Sequence, residues 1–408
     1  MQQLIDLKTG LTWLGIIILM TGMLVYGQSN AVDFAVYYKI AHRVLENAEI
    51  YRTTDGWMPF KYHPAWAIFF LPLTAFSLKV SSLIFNIIQL CCWGWSAKIW
   101  SCKLNYDLSS PQNKLFLLIL CLSALSAEIG FGQVNGFLFL GCTLFFQSLH
   151  STTSKPLLAG FLLALMCSLK INFALLGFYA LFKNWRSMFG IGLGFSFLHL
   201  FVIILTKNLF GIELYSKWIE LLVQQSSEQF ATFEVQGLLR FFLWISSEKA
   251  KVLWMLSIAI FLLISGWIHR KVAYRISSSL VAALWMTLLF LTSPLAWWYQ
   301  ILFVYPLAFY LIKNTPPSSW VKYTAYSCLF CFAFINFNTI GATGIYWFKD
   351  SLGYFTVTSI LFFLGILSTI QKDLSWTILK SRPQAHVHHS RSQNLIQKTA
   401  HLLRDKAH

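Results

Sequence analysis

"LTWLGIIILMTGMLVYGQSNAVDFAVYYKIAHRVLENAEIY", residues 11–51, runs from an uncharged apolar stretch straight into a segment of mixed charge. The apolar part, 11–27, approaches the ~20 residues an α-helix needs to cross a bilayer. Asp33 is the first acidic residue beyond it, so that carboxylate is expected where the membrane surface begins. A cleaved signal peptide is the competing reading, because the short amino end carries only Lys8 as a cation. The run is long for a signal core and lacks a good small-residue cleavage pattern, which favours an uncleaved span.

The rest of the chain repeats that pattern. Of its 408 residues 57% are hydrophobic and 11% charged, and mean hydropathy is +0.61. That charge content is roughly half the ordinary soluble share, too little to cover a globule with polar surface. The reading is an all-α polytopic membrane protein with no soluble domain large enough to fold alone. Twelve crossings are expected, near 11–26, 79–98, 114–130, 134–149, 156–169, 171–183, 187–206, 250–269, 276–292, 297–313, 321–340 and 352–370. The stretch "HPAWAIFFLPLTAFS", 64–78, is bracketed by Pro64 and Pro72 and is expected to lie in the outer interface. Were it a crossing, the sidedness of 98–156 would reverse and 156–182 would have to cross only once.

Charge favours the first arrangement. With the amino end inside, the inner segments carry 19 of the 31 Lys and Arg residues and 4 of the 15 acids. This is the positive-inside pattern, and it accounts for the +16 formal charge without any nucleic-acid partner. A membrane domain is therefore expected over 1–370 and a basic cytoplasmic tail over 371–408. The eight cysteines fall in apolar spans or, for Cys102, on an inner loop, so no disulfide framework is implied. "CLFC" at 328–331 reads as packing within an apolar helix, and His386, His388 and His389 as part of a polar tail.

Two outer segments, 27–63 and 207–249, are too long and polar for simple turns. In the first, Phe34, Tyr37, Tyr38, Ala41, Val44 and Leu45 follow helical spacing, with Lys39, His42, Arg43 and Glu46 on the other side. The expectation is an amphipathic helix resting on the membrane. The second mixes Trp218, Phe230 and Phe233 with Glu220, Glu228, Glu234 and Arg240.

These outer segments carry a resemblance. "DFAVYYKIAHRVLENAEIY" followed by "PFKYHPAWAIFFLPL" resembles the amino-terminal signature of glycosyltransferase family 87, integral-membrane sugar transferases of the GT-C fold. "GFGQVNGFLFLG" at 130–141 resembles the family's Gly-Gln-x-Asn turn, and "ALMCSLKINFALLGFYALFKNWR" its helix, lysine, helix, basic-loop passage. "VQGLLRFF" at 235–242 and "LTSPLAWWYQILFVYPLAF" resemble its Gln-rich outer-loop motif and its Ser-Pro-x-x-Trp segment. The similarity spans roughly 30–312. One departure is visible: where many members follow the Ser-Pro segment with a histidine pair, this chain has Tyr299 and Gln300.

The resemblance implies an enzyme that moves a hexose, commonly mannose, from a polyprenyl-phosphate carrier to a lipid-linked or cell-envelope acceptor. The transfer would take place on the outer face of a bacterial inner membrane. A sugar hydroxyl is a poor nucleophile, so a carboxylate must take its proton as the anomeric bond breaks; Asp33 is the candidate. Attack opposite the departing phosphate would invert the anomeric centre. The leaving phosphate needs cationic donors, for which Lys61, His63, Lys170 and Arg240 are candidates. Lys170 is the sharpest, a lone cation between two short apolar helices. Tyr37, Gln133, Asn135 and Gln236 are candidates for sugar or acceptor hydroxyls, and Trp57, Trp297, Trp298 and Tyr299 for stacking or shaping the site. A monophosphate donor requires no metal or other cofactor.

Blander readings stand beside these. Asp33 as a helix cap, Lys61 as an interface anchor, Arg240 as a partner of Glu234 and Glu128 as a structural hydrogen-bond acceptor each fit the local sequence. A transporter or lipid flippase is the alternative class, but the internal repeat with symmetrically broken helices common in transporters is not seen. No Gly-rich phosphate loop or Rossmann alternation points to soluble nucleotide-sugar chemistry.

Overall fold

The computed structural model describes residues 2–52, 55, 59–151, 153–229, 235–272, 277–335 and 337–381. Trp57, Phe230, Phe233, Glu234 and the tail histidines lie outside them. Among the described residues the chain is helical without a strand. Helix α1 (Gln2–Asn30) is followed by α2 (Val32–Leu45), α3 (Ala65–Phe69) with a 3₁₀ turn at Leu71–Ala75, α4 (Leu78–Leu104), α5 (Pro111–Phe131) and α6 (Asn135–His150). Next come α7 (Pro156–Leu169), a 3₁₀ turn at Ile171–Ala174, α8 (Leu175–Lys183), α9 (Ser187–Thr206), α10 (Ile212–Gln229) and α11 (Leu238–Ile245). The last part holds α12 (Ala250–Val272), α13 (Ser278–Thr292), a 3₁₀ turn at Trp298–Phe303, α14 (Tyr305–Asn314), α15 (Trp320–Phe334), α16 (Phe337–Asp350) and α17 (Gly353–Ser381). Among the described residues five helices are long and apolar enough to cross a membrane, at Leu7–Asn30, Leu78–Leu104, Pro111–Phe131, Ser187–Thr206 and Gly353–Gln371.

Close contacts give the helices their directions. Gly15 of α1 faces Leu115 of α5, and Tyr26 lies against Gly130, so α1 and α5 run parallel. Gln89 of α4 meets Gly136 of α6, and the Trp100 indole donates to Thr143 Oγ1 at 3.1 Å, so these two are parallel as well. The same holds for α7 and α9, where Leu157 meets Gly190 and Phe161 meets Gly194. Parallel neighbours require the chain between them to come back. The segment 171–183 therefore returns along the bundle between α7 and α9.

The contact of α7 with α9 depends on small residues. Gly160 and Ala164 on one helix oppose Gly190 and Gly194 on the other, a spacing of four that lets backbones approach where no aqueous hydrophobic drive exists between helices. A Cβ on Gly190 would sit 2.1 Å from Leu157 O, which is backbone and cannot step aside. The expected result for Gly190→Leu is loss of monodisperse protein in detergent, with Gly192→Leu as a control because open space surrounds Gly192.

The segment 64–78 stays at one end of the bundle. At its start His63 N–H donates to Ser168 O at 2.9 Å, beside the end of α7. At its far side Tyr38 OH, on α2, donates to Phe76 O at 2.8 Å. This is the arrangement expected of an interface helix rather than a crossing.

Helix α2 differs from the amphipathic reading. It does not merely rest on a membrane, because Phe34, Tyr37, Ile40 and Ala41 pack into the protein core, with Phe34 4.9 Å from Phe85 and Tyr37 stacked 4.9 Å from Phe70. Arg43, placed on the polar face by spacing, is buried. Its guanidinium donates to both Asp55 oxygens at 2.6 and 2.5 Å, and Lys39 reaches Asp55 at 2.9 Å. Against the pull of burial, those donors hold the Asp55 carboxyl below its ordinary value. The ion pair pins the loop after α2 over the bundle end.

Candidate active site

The loop ends gather at that same end of the bundle. Gly132 closes α5 with φ +69°, and a Cβ there would lie 2.6 Å from Phe34 Cβ. Glycine alone fits both the left-handed backbone and the close approach of α2. The turn it makes brings Gln133 against α2, where Gln133 Nε2 donates to Asp33 Oδ2. Two residues on, Asn135 opens α6 and donates through Nδ2 to both Glu128 oxygens at 2.7 and 2.9 Å. Its carbonyl oxygen accepts from Lys170 Nζ at 2.8 Å. Asp33, Gln133, Glu128, Asn135 and Lys170 thus form one polar centre, assembled from four helix ends that were apart in sequence.

Asp33 is half-buried in this centre. Burial pushes its carboxyl up to about 6, and Lys170, the Gln133 hydrogen bond and Lys61 pull it back toward the ionised form. Burial also lowers the Lys61 ammonium, which Asp33 partly offsets. A carboxylate that titrates near neutrality is suited to taking and releasing a proton at working pH. Beneath it Tyr37 is buried, its hydroxyl 2.6 Å from that of Tyr62, and burial with that partner raises it well above its ordinary value.

His63 lies elsewhere. It lines a cavity of about 450 Å³ with Phe195, Ser196, His199, Tyr215 and Trp218, between α9 and α10. Ala65 N–H donates to His63 Nδ1 at 3.3 Å, which leaves the proton on Nε2. Burial, aided by His199, pushes this imidazole down to about 4, so at neutral pH it offers a hydrogen-bond donor and not a charge. The cavity adjoins the centre through Trp218, whose indole donates to Lys61 O at 2.9 Å.

Gln236 and Arg240 form a second group. Val235 bridges Trp297, and Gln236 N–H donates to Ala296 O at 2.6 Å, fastening this loop to the Ser293–Pro294 turn. Gly237 allows it, since a Cβ there would meet Ser293 O at 2.6 Å. Arg240 pairs with Asp350 at 3.2 Å. Trp297 stacks on Tyr299 at 6.1 Å, and Tyr299 lies 5.5 Å from Phe131, the residue before the Gly132 turn. Tyr299 so joins the two groups.

With this geometry in view, comparison with protein families is decisive. A model of glycosyltransferase family 87 matches residues 60–294, more than half of the chain. The chain belongs to glycosyltransferase family 87. Comparison with curated proteins gave no match, and neither did comparison with solved structures. As a family 87 member the protein is a glycosyltransferase, and its apolar helices make it a membrane one. The matched segment contains Lys61, His63, Glu128, Gln133, Asn135, Lys170, Gln236 and Arg240, while Asp33, Trp297 and Tyr299 lie outside it.

Some neighbours of the centre escaped the sequence reading. On α4, Asn86, Gln89 and the Trp93 indole are buried with no partner among the described side chains, and Asn86 and Gln89 face Gly27 and Gly136. Their spacing on one helix face was legible, but the apolar residues around them masked it. Lys349, buried against the Trp298 ring, also escaped the sequence reading.

Proposed function

We propose that this glycosyltransferase moves a hexose, with mannose the first candidate, from a polyprenyl-phosphate carrier to a lipid-linked or cell-envelope acceptor. The twelve expected crossings, in a GT-C arrangement, put the reaction at the outer face of the inner membrane. The observation that carries the reading is the Asp33 carboxylate held by Gln133 beside Lys61 and Lys170 at the bundle end. Asp33 takes the proton of the acceptor hydroxyl as its oxygen attacks the anomeric carbon. The bond from that carbon to the phosphate oxygen breaks, its electron pair leaves with the lipid phosphate, and the anomeric configuration inverts. Gln133 orients Asp33, and the charge of Lys170 favours its ionised form. Tyr299 and Trp297 offer ring faces to the sugar. Tyr37, packed beneath the base, supports it.

The test is transfer by purified protein in lipid, with polyprenyl-phosphate-mannose and a membrane lipid extract as acceptor. Labelled product from the lipid donor, and none from GDP-mannose supplied without carrier, is expected. Transfer directly from the nucleotide sugar would overturn the donor assignment.

A further inference from the structure

The cavity lined by His63 stands beside the polar centre, and its floor is built from the same segments. His63 N–H donates to Ser168 O at 2.9 Å, two residues before Lys170, and the Trp218 indole donates to Lys61 O at 2.9 Å. The Lys61 ammonium is within electrostatic reach of Asp33. A molecule held in this space of about 450 Å³ therefore adjoins the base.

The lining selects the molecule. Phe195, Tyr215 and Trp218 contribute aromatic rings, with those of Tyr215 and Trp218 centred 5.4 and 5.3 Å from the His63 imidazole. His199 is engaged through both nitrogens, Nε2 with Leu209 O at 3.0 Å and Nδ1 with Tyr215 OH at 2.9 Å, and so braces the wall. His63 differs. It is 3% exposed, its Nδ1 accepts from Ala65 N–H, and no described group accepts from its Nε2. A buried N–H without an acceptor is costly unless a ligand supplies one. Ser196 adds a hydroxyl, and no lysine, arginine or carboxylate lines the space. Lys217, next to Trp218, is paired with Glu49 and Glu213 at 2.9 Å each. A phosphate would thus meet no cation here, whereas aromatic faces around a few neutral hydrogen-bonding groups suit an uncharged sugar.

The surroundings indicate how that sugar arrives. Leu200 beside His199 and Ile219 beside Trp218, with Leu193 and Ile212 about one turn from Ser196 and Tyr215, are all more than half exposed. Helix α9 is long and apolar enough to cross the membrane, so the side chains flanking the cavity meet lipid. We propose that the cavity between α9 and α10 seats the uncharged sugar of a glycolipid acceptor, whose acyl chains remain in the bilayer. The proposal rests on the transferase reading above and chooses within its acceptor classes: a neutral glycolipid, in place of a phosphate-bearing lipid or a free glycan. His63 Nε2–H donates to a hydroxyl of that sugar, and the rings of Trp218 and Tyr215 cover its faces.

The test is photolabelling of the full chain in phosphatidylcholine nanodiscs with a monomannosyl diacylglycerol that carries a diazirine close to its glycerol, the labelled peptides being located by mass spectrometry. Label on 193–223 that is competed by the same lipid without diazirine is expected. Phosphatidic acid with the same chains should compete about tenfold or more weakly, the scale of a polar group left unpaired, and methyl mannoside should not compete. Ser196→Trp fills the cavity from an exposed position and should abolish the competed label at unchanged melting temperature, while Leu193→Trp, on the lipid-facing side, should keep it. Competed label that lies on other helices, or that persists in Ser196→Trp, would overturn the proposal. Equal competition by phosphatidic acid or by methyl mannoside would overturn the acceptor class. Competed label on 193–223 in a protein that transfers nothing from polyprenyl-phosphate-mannose to any acceptor would overturn the donor reading and leave the cavity assignment standing.

Discussion

Asp33→Asn is expected to slow hexosyl transfer by about 10²–10⁴-fold while the protein stays folded, the range a positioned base contributes. Asparagine has the same shape and still accepts the Gln133 hydrogen bond, so the turn at Gly132 and the packing of Phe34 need not change. What it lacks is a site for the proton. The loss should therefore fall on kcat with little change in donor affinity, and a single-turnover assay reads it directly. A helix-capping role predicts otherwise. Asp33 lies in the first turn of α2 but its Ala31 N-cap has no side-chain bond, and the carboxylate turns to Gln133 instead. Loss of a cap alone would lower stability by about 1 kcal/mol and leave the rate near wild type.

Lys170→Gln is expected to act in two ways. Lys170 is the strongest of the groups that offset the burial of Asp33, so its removal raises the Asp33 carboxyl further and moves the acid limb of the rate profile to higher pH. At fixed neutral pH the rate falls because less of the base is ionised. The second effect is on stability. Glu128 is 2% exposed and hydrogen-bonded to Asn135, which in turn accepts from Lys170. Losing the charge-assisted hydrogen bond from Lys170 to Asn135 costs about 1.5–3 kcal/mol. Thermal unfolding in detergent should show a lowered midpoint, partly recovered in Glu128→Gln, Lys170→Gln together. Unchanged stability and an unchanged pH profile would place Lys170 outside the network.

Five helices among the described residues were legible because apolar runs near bilayer length announce themselves, and the parallel pairing of α7 with α9 explains why 171–183, though short, is a separate return. Asp33 was legible as the first acid after a span. Its partner Gln133 was legible only as part of a motif, since nothing in the spacing says that Gly132 turns the chain toward α2. Arg43 shows where periodicity misleads. Helical spacing assigns it to a wet face, but Asp55, twelve residues on, supplies a carboxylate that lets the guanidinium be buried. His63 shares its segment with Lys61, yet helices α9 and α10, more than a hundred residues later, close over it and form the cavity that keeps it neutral. Lys349 depends on Trp298 and on Gln236, contacts between distant segments that no local pattern encodes.

The central claim is that Asp33 is the base of the transfer, and the pH dependence of kcat/KM in wild type and Asp33→Asn tests it most directly. Asp33 must be ionised to accept a proton, and burial holds it up to about 6. The rate is therefore expected to fall about tenfold per pH unit below that value, and the residual rate of Asp33→Asn to show no such limb. An acid limb near pH 6 that persists in Asp33→Asn would assign the base to another group and contradict the account.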